Sequence, residues 1–141
     1  MSFVDTMDVM LPPTDGVSTH VTGEYGEPRG GGTHGGVDFN YEGGQTGTNL
    51  THPTINSPVD GTVIFVGGNY GTITIRDSAG NLHQILHTDS QSVSVGDQVN
   101  RGDPIGTMGG TGPQGADQYA QHVHYQMKDP NGDAMDPQAY W

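Results

Sequence analysis

Residues 62–76 read TVIFVGGNYGTITIR, and this stretch decides the fold. Its two apolar runs, Thr62 to Val66 and Thr72 to Arg76, have the length and the β-branched composition of strands, and a glycine-asparagine turn separates them. In the second run, isoleucines alternate with polar residues, as on a half-buried strand. A turn at 77–81 leads to a third run, Leu82 to His87. The stretch therefore predicts three consecutive antiparallel strands.

Further strands are predicted at 93–99, 104–109 and 121–127, with polar or glycine-rich loops at 40–57 and 110–119. No helix of ordinary length has a supporting period. The expected fold is all-β: one small domain with a central antiparallel sheet, long loops that form a cleft, and little or no helix.

The length of 141 residues fits one compact domain. Residues 1–20 lack a clear period and are predicted to be an N-terminal extension, with the main domain at 21–141. The first eight residues carry acids where a secretory signal would be basic and then apolar. We therefore expect an excised or mature part of a larger protein, or a protein exported without an N-terminal signal.

Charge and composition exclude several function classes. The formal net charge is −12 with only four lysines and arginines, which disfavours binding to nucleic acid or to anionic membranes. No stretch reaches the roughly 20 apolar residues of a membrane span, so membrane insertion is not expected. The absence of cysteine rules out disulfides and thiolate metal sites.

The histidines of His122-Val123-His124 fall within the last predicted strand. Because side chains alternate between the faces of a strand, both imidazoles lie on one face, about 7 Å apart. This spacing suits a shared metal site, with one imidazole as a ligand and the other within reach of a bound water. A solvated strand face is the competing interpretation.

His34-Gly35-Gly36-Val37-Asp38 is too rich in glycine for a helix interior. On an ideal strand His34 and Asp38 would lie about 13 Å apart, too far to share an ion. The glycine pair permits a bend or bulge that would bring the two side chains together. A loop that holds a histidine and an aspartate by chance is the competing interpretation.

The two motifs offer imidazoles and a carboxylate without a thiolate. This set suits Zn²⁺ with three protein ligands and one position open to water, which is typical of catalytic zinc. His87, at the end of its predicted strand, is a candidate catalytic or supporting imidazole, or else a surface residue of an edge strand.

Several short motifs follow one another in a fixed order. They are GEYGEPR at 23–29, HGGVD at 34–38, SPVDGTV at 57–63, YGTITI at 70–75, VGDQVNRGDPIG at 95–106, HVHY at 122–125 and DPQAY at 136–140. Over roughly residues 22–141 this set resembles the lysostaphin-type (LytM-like) zinc metalloendopeptidases, which are peptidoglycan hydrolases.

The resemblance implies roles for five residues. His34, Asp38 and His124 would bind Zn²⁺, while His87 and His122 would activate water and stabilise the tetrahedral intermediate, with the general base left open between them. The zinc-activated water would hydrolyse a peptide bond in the cell-wall cross-link. The chain departs from the family at Ile85-Leu86-His87-Thr88, where Tyr-Ala-His-Leu is usual, and in its longer loops.

Three other functions fit the sequence less well. A catalytically inactive relative that binds cell wall or activates an amidase would usually have lost metal ligands, which this chain keeps. A biotinyl or lipoyl carrier needs a lysine at a hairpin tip, and the only lysine is Lys128. The acidic stretch 129–133 lacks the ligand series of a calcium loop and is predicted to be a turn.

The substrate is expected to be a peptidoglycan peptide, cut at the D-alanyl–diaminopimelate bond, with glycyl-glycine as the alternative. The net charge of −12 would be repelled by teichoic-acid-rich walls, and no second, wall-targeting domain is present in the sequence. The protein would act outside the cytoplasm, in the periplasm or cell wall, possibly that of a target cell. If it is a secreted effector, an immunity or inhibitor protein is a further expected partner.

Overall fold

The computed structural model describes residues 2–29, 32–41 and 51–141, so positions 42–50 of the predicted loop 40–57 lie outside the described residues. Strands dominate the described ranges. They are β1 Thr19–Gly23, β2 Pro28–Arg29, β3 Gly32–Thr33, β4 Val37–Tyr41, β5 Thr54–Asn56, β6 Gly61–Gly67, β7 Thr72–Arg76, β8 Leu82–Leu86, β9 Ser90–Gln91, β10 Gln98–Val99, β11 Pro104–Thr107, β12 Val123–Lys128 and β13 Ala134–Met135. The helices are α1 Phe3–Met10 and α2 Pro137–Tyr140.

An antiparallel sheet in the order β1-β4-β12-β8-β7-β6-β10 forms the centre of the molecule, and β13 pairs with β12. The three consecutive strands predicted from residues 62–87 are β6, β7 and β8, which are neighbours in this sheet. A second sheet pairs β5, β11 and β9. The predicted all-β antiparallel fold is confirmed.

The strand predicted at 93–99 is wrong over its first part. The Asp97 N–H donates to the Ser94 carbonyl (3.0 Å), and the Ser94 N–H donates to the Asp97 carboxylate (2.8 Å), which closes a tight turn. Gly96 adopts a φ of 98° in this turn, a conformation that glycine accommodates without steric cost. Only Gln98–Val99 remains as strand β10.

Strand alternation places the apolar residues of β4, β12, β8 and β7 on one face of the central sheet. Phe39, Val123, Ile85 and Ile73 are fully buried there, together with Ile105 from the second sheet. The opposite face of the same strands carries polar side chains. One face of the sheet is therefore the hydrophobic core, and the other is free to hold a site.

Helix α1 closes the core, although no period indicated a helix there. Ser2 and Asp5 form a capping box that satisfies the first backbone N–H groups. The Phe3 ring packs edge-on against Phe39 and stacks with Tyr125 at centroid distances of 6.3 and 6.5 Å. Within the described residues, no helix is long and apolar enough to cross a membrane.

A polar chain crosses the core beneath the central sheet. The Trp141 indole N–H donates to the Tyr125 hydroxyl (3.0 Å), which lies 2.7 Å from His83 Nδ1. His83 Nε2 donates to the Asp77 carboxylate at 2.8 Å. Every partner is satisfied when His83 is neutral and Asp77 is ionised, which ties the last residue of the chain to β8 and β12.

The pKa values of His83 and Asp77 agree with a neutral imidazole and an ionised carboxylate. Burial lowers the pKa of His83 below 6.5, against the opposing effect of Asp77. Burial by itself would raise the pKa of Asp77, but hydrogen bonds from His83 and from the Asn81 backbone outweigh it, so the pKa lies below 3.8.

Stability is therefore expected to fall as the pH drops below 6.5, the ordinary pKa of histidine. The unfolded chain protonates position 83 at a higher pH than the folded chain, so this contribution is complete above that pH and is lost on acidification. The slope for one proton is at most about 1.4 kcal/mol per pH unit. Urea unfolding of metal-free protein at pH 7 and pH 5 measures it, with the non-titrating His83→Gln as the comparison. Equal losses in the two proteins would contradict the expectation.

Candidate metal centre and active site

Two neighbouring strands supply most of the site. Asp38 in β4 and His124 in β12 are directly opposite each other in the antiparallel register, and both lie on the polar face of the sheet. His34 precedes β4, and the chain turns between it and Val37, so its ring reaches the same point. The bend predicted at the glycine pair is present.

Three candidate ligand atoms converge. His34 Nε2 lies 3.2 Å from Asp38 Oδ2, His124 Nδ1 lies 2.9 Å from Asp38 Oδ1, and the two imidazole nitrogens are 3.3 Å apart. One ligand atom from each residue lies within 4.8 Å of the other two, a spacing suited to one ion. Both imidazoles are buried, so little water reaches the cluster from behind.

Asp38 is ionised at neutral pH. Burial alone would raise its pKa, but close contact with His124 and the nearby imidazoles His122 and His34 outweigh that effect and hold the pKa below 3.8. A half-buried carboxylate among imidazoles is the type of oxygen ligand that completes a nitrogen-rich zinc site.

Outer contacts orient both ligand imidazoles. His34 Nδ1 lies 2.9 Å from the Glu24 carbonyl oxygen, and His124 Nε2 lies 2.8 Å from the amide oxygen of Gln126. Because these oxygens only accept hydrogen bonds, the contacting nitrogens carry the protons and the inward nitrogens present lone pairs. Two lone pairs and a carboxylate then face one another without a proton between them, an arrangement that a cation stabilises. The residues fit Zn²⁺.

His122 and His87 stand beside this cluster. His122 Nε2 is 3.5 Å from Asp38 Oδ1, and its Nδ1 donates to the Ala120 carbonyl (2.7 Å). His87 Nδ1 donates to the Thr111 carbonyl (2.8 Å), and its ring centroid lies 5.0 Å from that of His122. In both rings Nδ1 carries the proton, so Nε2 is free to accept one. The five residues predicted from the sequence are thus brought together.

His87 reaches the site through an unusual backbone conformation. Strand alternation along β8 would place it on the core face with His83 and Ile85, but its φ of 65° turns the side chain toward His122 and His124. A positive φ is rare in a non-glycine residue and is found where the surroundings require it. Burial lowers the pKa of His87 to about 4, so the ring is neutral at pH 7.

A cleft runs across the cluster. Two cavities of about 290 and 340 Å³ share Asp38, Tyr119 and His122 as walls. The first is otherwise lined by Thr22, Asn40, Ala120 and Gln121, and the second by Arg29, Thr33, His34, Gly35, His87 and His124. The cleft is therefore open on both sides of the histidines.

A model of Peptidase family M23 matches residues 32–137, which is well over half of the chain and includes all five of these positions. The chain belongs to Peptidase family M23. Peptidases of this family depend on zinc, in agreement with the histidine and aspartate cluster.

Solved structures of three peptidases share the fold. The catalytic domain of the antimicrobial peptidase lysostaphin from Staphylococcus simulans is 26% identical, with a TM-score of 0.67 over 88% of this chain and 91% of that one. The catalytic domain of the prophage-encoded M23 protein EnpA from Enterococcus faecalis is 24% identical, with a TM-score of 0.70 over 91% and 95%. A zinc-containing peptidase from Vibrio cholerae is 22% identical, with a TM-score of 0.69 over 91% of this chain. The chain spans only 38% of that longer protein.

Sequence reasoning did not single out three residues that border this M23 site. Gln126 follows His122 and His124 at the same two-residue spacing, so strand alternation could have identified it. Arg29 Nη2 lies 3.8 Å from Asp38 Oδ2. The Tyr119 ring lies 4.8 Å from that of His87, in a loop whose path has no local sequence signal.

Position 36 has no room for a side chain, so glycine is required there for steric reasons and not for its backbone conformation. A Cβ at this position would lie 2.7 Å from the Tyr125 carbonyl oxygen and 2.8 Å from His124 Nε2. At Gly35 the nearest atom to such a Cβ would be 3.9 Å away, in ordinary contact.

Gly36→Ala is therefore expected to cost about 1–3 kcal/mol of stability through overpacking. Because the displaced atoms include His124, zinc affinity should fall as well, by about tenfold or more. Thermal unfolding and zinc competition with a chelator measure the two effects. Gly35→Ala is the matched control and should change neither; equal behaviour of the two variants would contradict the close-contact explanation.

Proposed function

We propose that the chain is a zinc-dependent peptidoglycan endopeptidase that hydrolyses a peptide bond in the cell-wall cross-link. The observation that carries this proposal is the convergence of two imidazole lone pairs and one carboxylate, with two further imidazoles on the side facing the cleft. Membership of Peptidase family M23 and the likeness to lysostaphin support the same conclusion.

In the proposed mechanism, His34 Nε2, the Asp38 carboxylate and His124 Nδ1 would hold Zn²⁺. When bound, the ion would lower the pKa of a water molecule and polarise the scissile carbonyl. His122 and His87 both line the cleft, and each donates from Nδ1 to a backbone carbonyl, which leaves Nε2 as the nitrogen available for proton transfer. One of them accepts a proton from the attacking water, and the proton is then delivered to the leaving amine. The other imidazole takes up a proton from solvent and donates a hydrogen bond from Nε2 to the developing oxyanion.

The proposed bond is D-alanyl–diaminopimelate. The net charge of −12 supports this choice, because a strongly acidic protein is repelled by walls rich in teichoic acid. The enzyme would act outside the cytoplasm, on the wall of its own or another cell. An inhibitor or immunity partner stays a prediction.

The test combines zinc quantification with digestion of two purified substrates. One contains D-alanyl–diaminopimelate cross-links and the other contains glycine bridges, and released fragments are identified by mass. We expect about one zinc ion per chain. Cross-linked dimers should be converted to monomers only in the first substrate. A chelator should abolish this activity, and added zinc should restore it. Cleavage of glycine bridges alone overturns the bond assignment. Bound zinc without cleavage of either substrate overturns the enzyme assignment in favour of a binding relative.

A further inference from the structure

A row of side-chain amides extends from His124 across three strands. Gln126 in β12 lies directly opposite Gln84 in β8, and Gln84 lies directly opposite Thr74 in β7. All three are on the sheet face that bears the metal cluster. The row therefore joins a ligand imidazole to the interior of the sheet, at right angles to the strands.

Its hydrogen bonds are continuous. The Gln126 amide oxygen lies 2.8 Å from His124 Nε2, and the Gln126 amide nitrogen donates to the Gln84 amide oxygen at 2.7 Å. The Gln84 amide nitrogen in turn donates to the Thr74 hydroxyl at 3.4 Å. Thr74 is 3% exposed, so the far end of the row is anchored in the buried part of the sheet.

The orientation of the Gln84 amide decides which end of the Gln126 amide faces His124. If the Gln126 amide alone were turned over, its oxygen would face the Gln84 oxygen, and two acceptors would oppose each other. With the Gln84 amide nitrogen directed to Thr74 and its oxygen to Gln126, Gln126 presents its own oxygen to His124, and His124 then carries its proton on Nε2. The Nδ1 lone pair is thereby left toward His34 and Asp38.

We infer that Gln126 and Gln84 are positioning residues, which hold His124 in the tautomer that binds metal through Nδ1. This inference rests on the metal site of the proposed function and adds to it two residues that touch neither metal nor substrate. Partners of this kind orient ligand imidazoles, and their loss typically weakens metal affinity by about 10–100-fold.

The first measurement uses no metal. Nitrogen-15 chemical shifts of the His124 ring in metal-free protein report which nitrogen carries the proton. We expect Nε2–H in the wild type and a shift toward Nδ1–H in Gln126→Met, since Asp38 Oδ1 lies 2.9 Å from Nδ1 and can accept that proton. A proton on Nδ1 in the wild type overturns the inference.

The second measurement is zinc affinity by chelator competition. Gln126→Met should bind zinc about 10–100-fold more weakly, Gln84→Met should lose less, and Gln126→Glu, which keeps an acceptor toward His124, should recover the affinity. The double variant should be no weaker than Gln126→Met, because Gln84 acts only through Gln126. Additive losses, or a Gln126→Met affinity within twofold of the wild type, overturn the inference.

Gln98→Met supplies the matched control. Its amide nitrogen donates to the Thr62 hydroxyl at 2.8 Å, a cross-strand contact of the same kind at the far edge of the sheet. Zinc affinity should not change in this variant. A loss of affinity equal to that in Gln126→Met would indicate a general effect of sheet stability and would overturn the inference. The wild-type protein distinguishes failure of this inference from failure of the proposed function. If the wild type binds no zinc, the proposed metal site itself is wrong.

Discussion

Replacing His122 with alanine is expected to leave about one zinc ion bound per chain and to lower turnover by about 10²–10⁴-fold. The imidazole lies 3.5 Å from Asp38 with Nε2 directed toward the cleft, and its ring is partly exposed. It is thus placed to exchange protons with reacting groups, while the three atoms that would hold the metal come from other residues. The loss should therefore appear in kcat and leave metal content intact.

The comparison variant for this prediction is His34→Ala, which removes one of the three converging ligand atoms. It should lose both zinc and activity, and added zinc should restore activity only at high concentration, if at all. Zinc content, circular dichroism and muropeptide release are measured on all three proteins. Full turnover in His122→Ala, or loss of its zinc to the same degree as in His34→Ala, would contradict the proposed division between ligands and proton-transfer residues.

Deleting residues 1–11 is expected to unfold the protein. Helix α1 and the residue after it bury four apolar side chains, Phe3, Met7, Met10 and Leu11, of which the last two are 0% exposed. Each such side chain contributes about 1.5–3 kcal/mol when buried. Together they approach the total stability of a domain, which is only about 5–15 kcal/mol. The segment also covers Phe39 and Tyr125, the neighbours of Asp38 and His124.

A pair of single substitutions on the same helix makes this prediction quantitative. Met10→Ala should cost about 2–5 kcal/mol through the cavity it leaves. Val4→Ala, at a position that is 58% exposed, should stay within about 0.5 kcal/mol of the wild type. Urea unfolding measures both values. A folded, active protein lacking residues 1–11 would instead support the N-terminal extension predicted for residues 1–20, a division that stays a prediction.

Local pattern was sufficient for the strands and for part of the site. The β-branched runs at 62–66 and 72–76 became neighbouring strands because strand preference and alternation depend on adjacent residues. The same two-residue period places His122 and His124 on one face, and it would have extended to Gln126. The family resemblance assigned His34, His87 and Asp38 to the same site.

Helix α1 shows where a local pattern is not enough. Ser2 and Asp5 have the spacing of a capping box, but eight residues are too few for a helix to be stable alone. The helix is stabilised by packing on Phe39 and Tyr125, which lie far away in the sequence. The turn at Ser94–Asp97 replaced a predicted strand for a related reason, since a side-chain hydrogen bond competed with strand pairing.

The sequence by itself determined the antiparallel β-sheet, the pairing of His122 and His124 on one face, and the ligand set suited to zinc, because these depend on alternation and on side-chain chemistry. Only the tertiary structure decided that Gly36 must lack a side chain, that His87 leaves the core face through a positive φ, and that an amide row orients His124. Each of these depends on the distance between segments remote in sequence. Such distances are set when the strands pack together, and no local period encodes them.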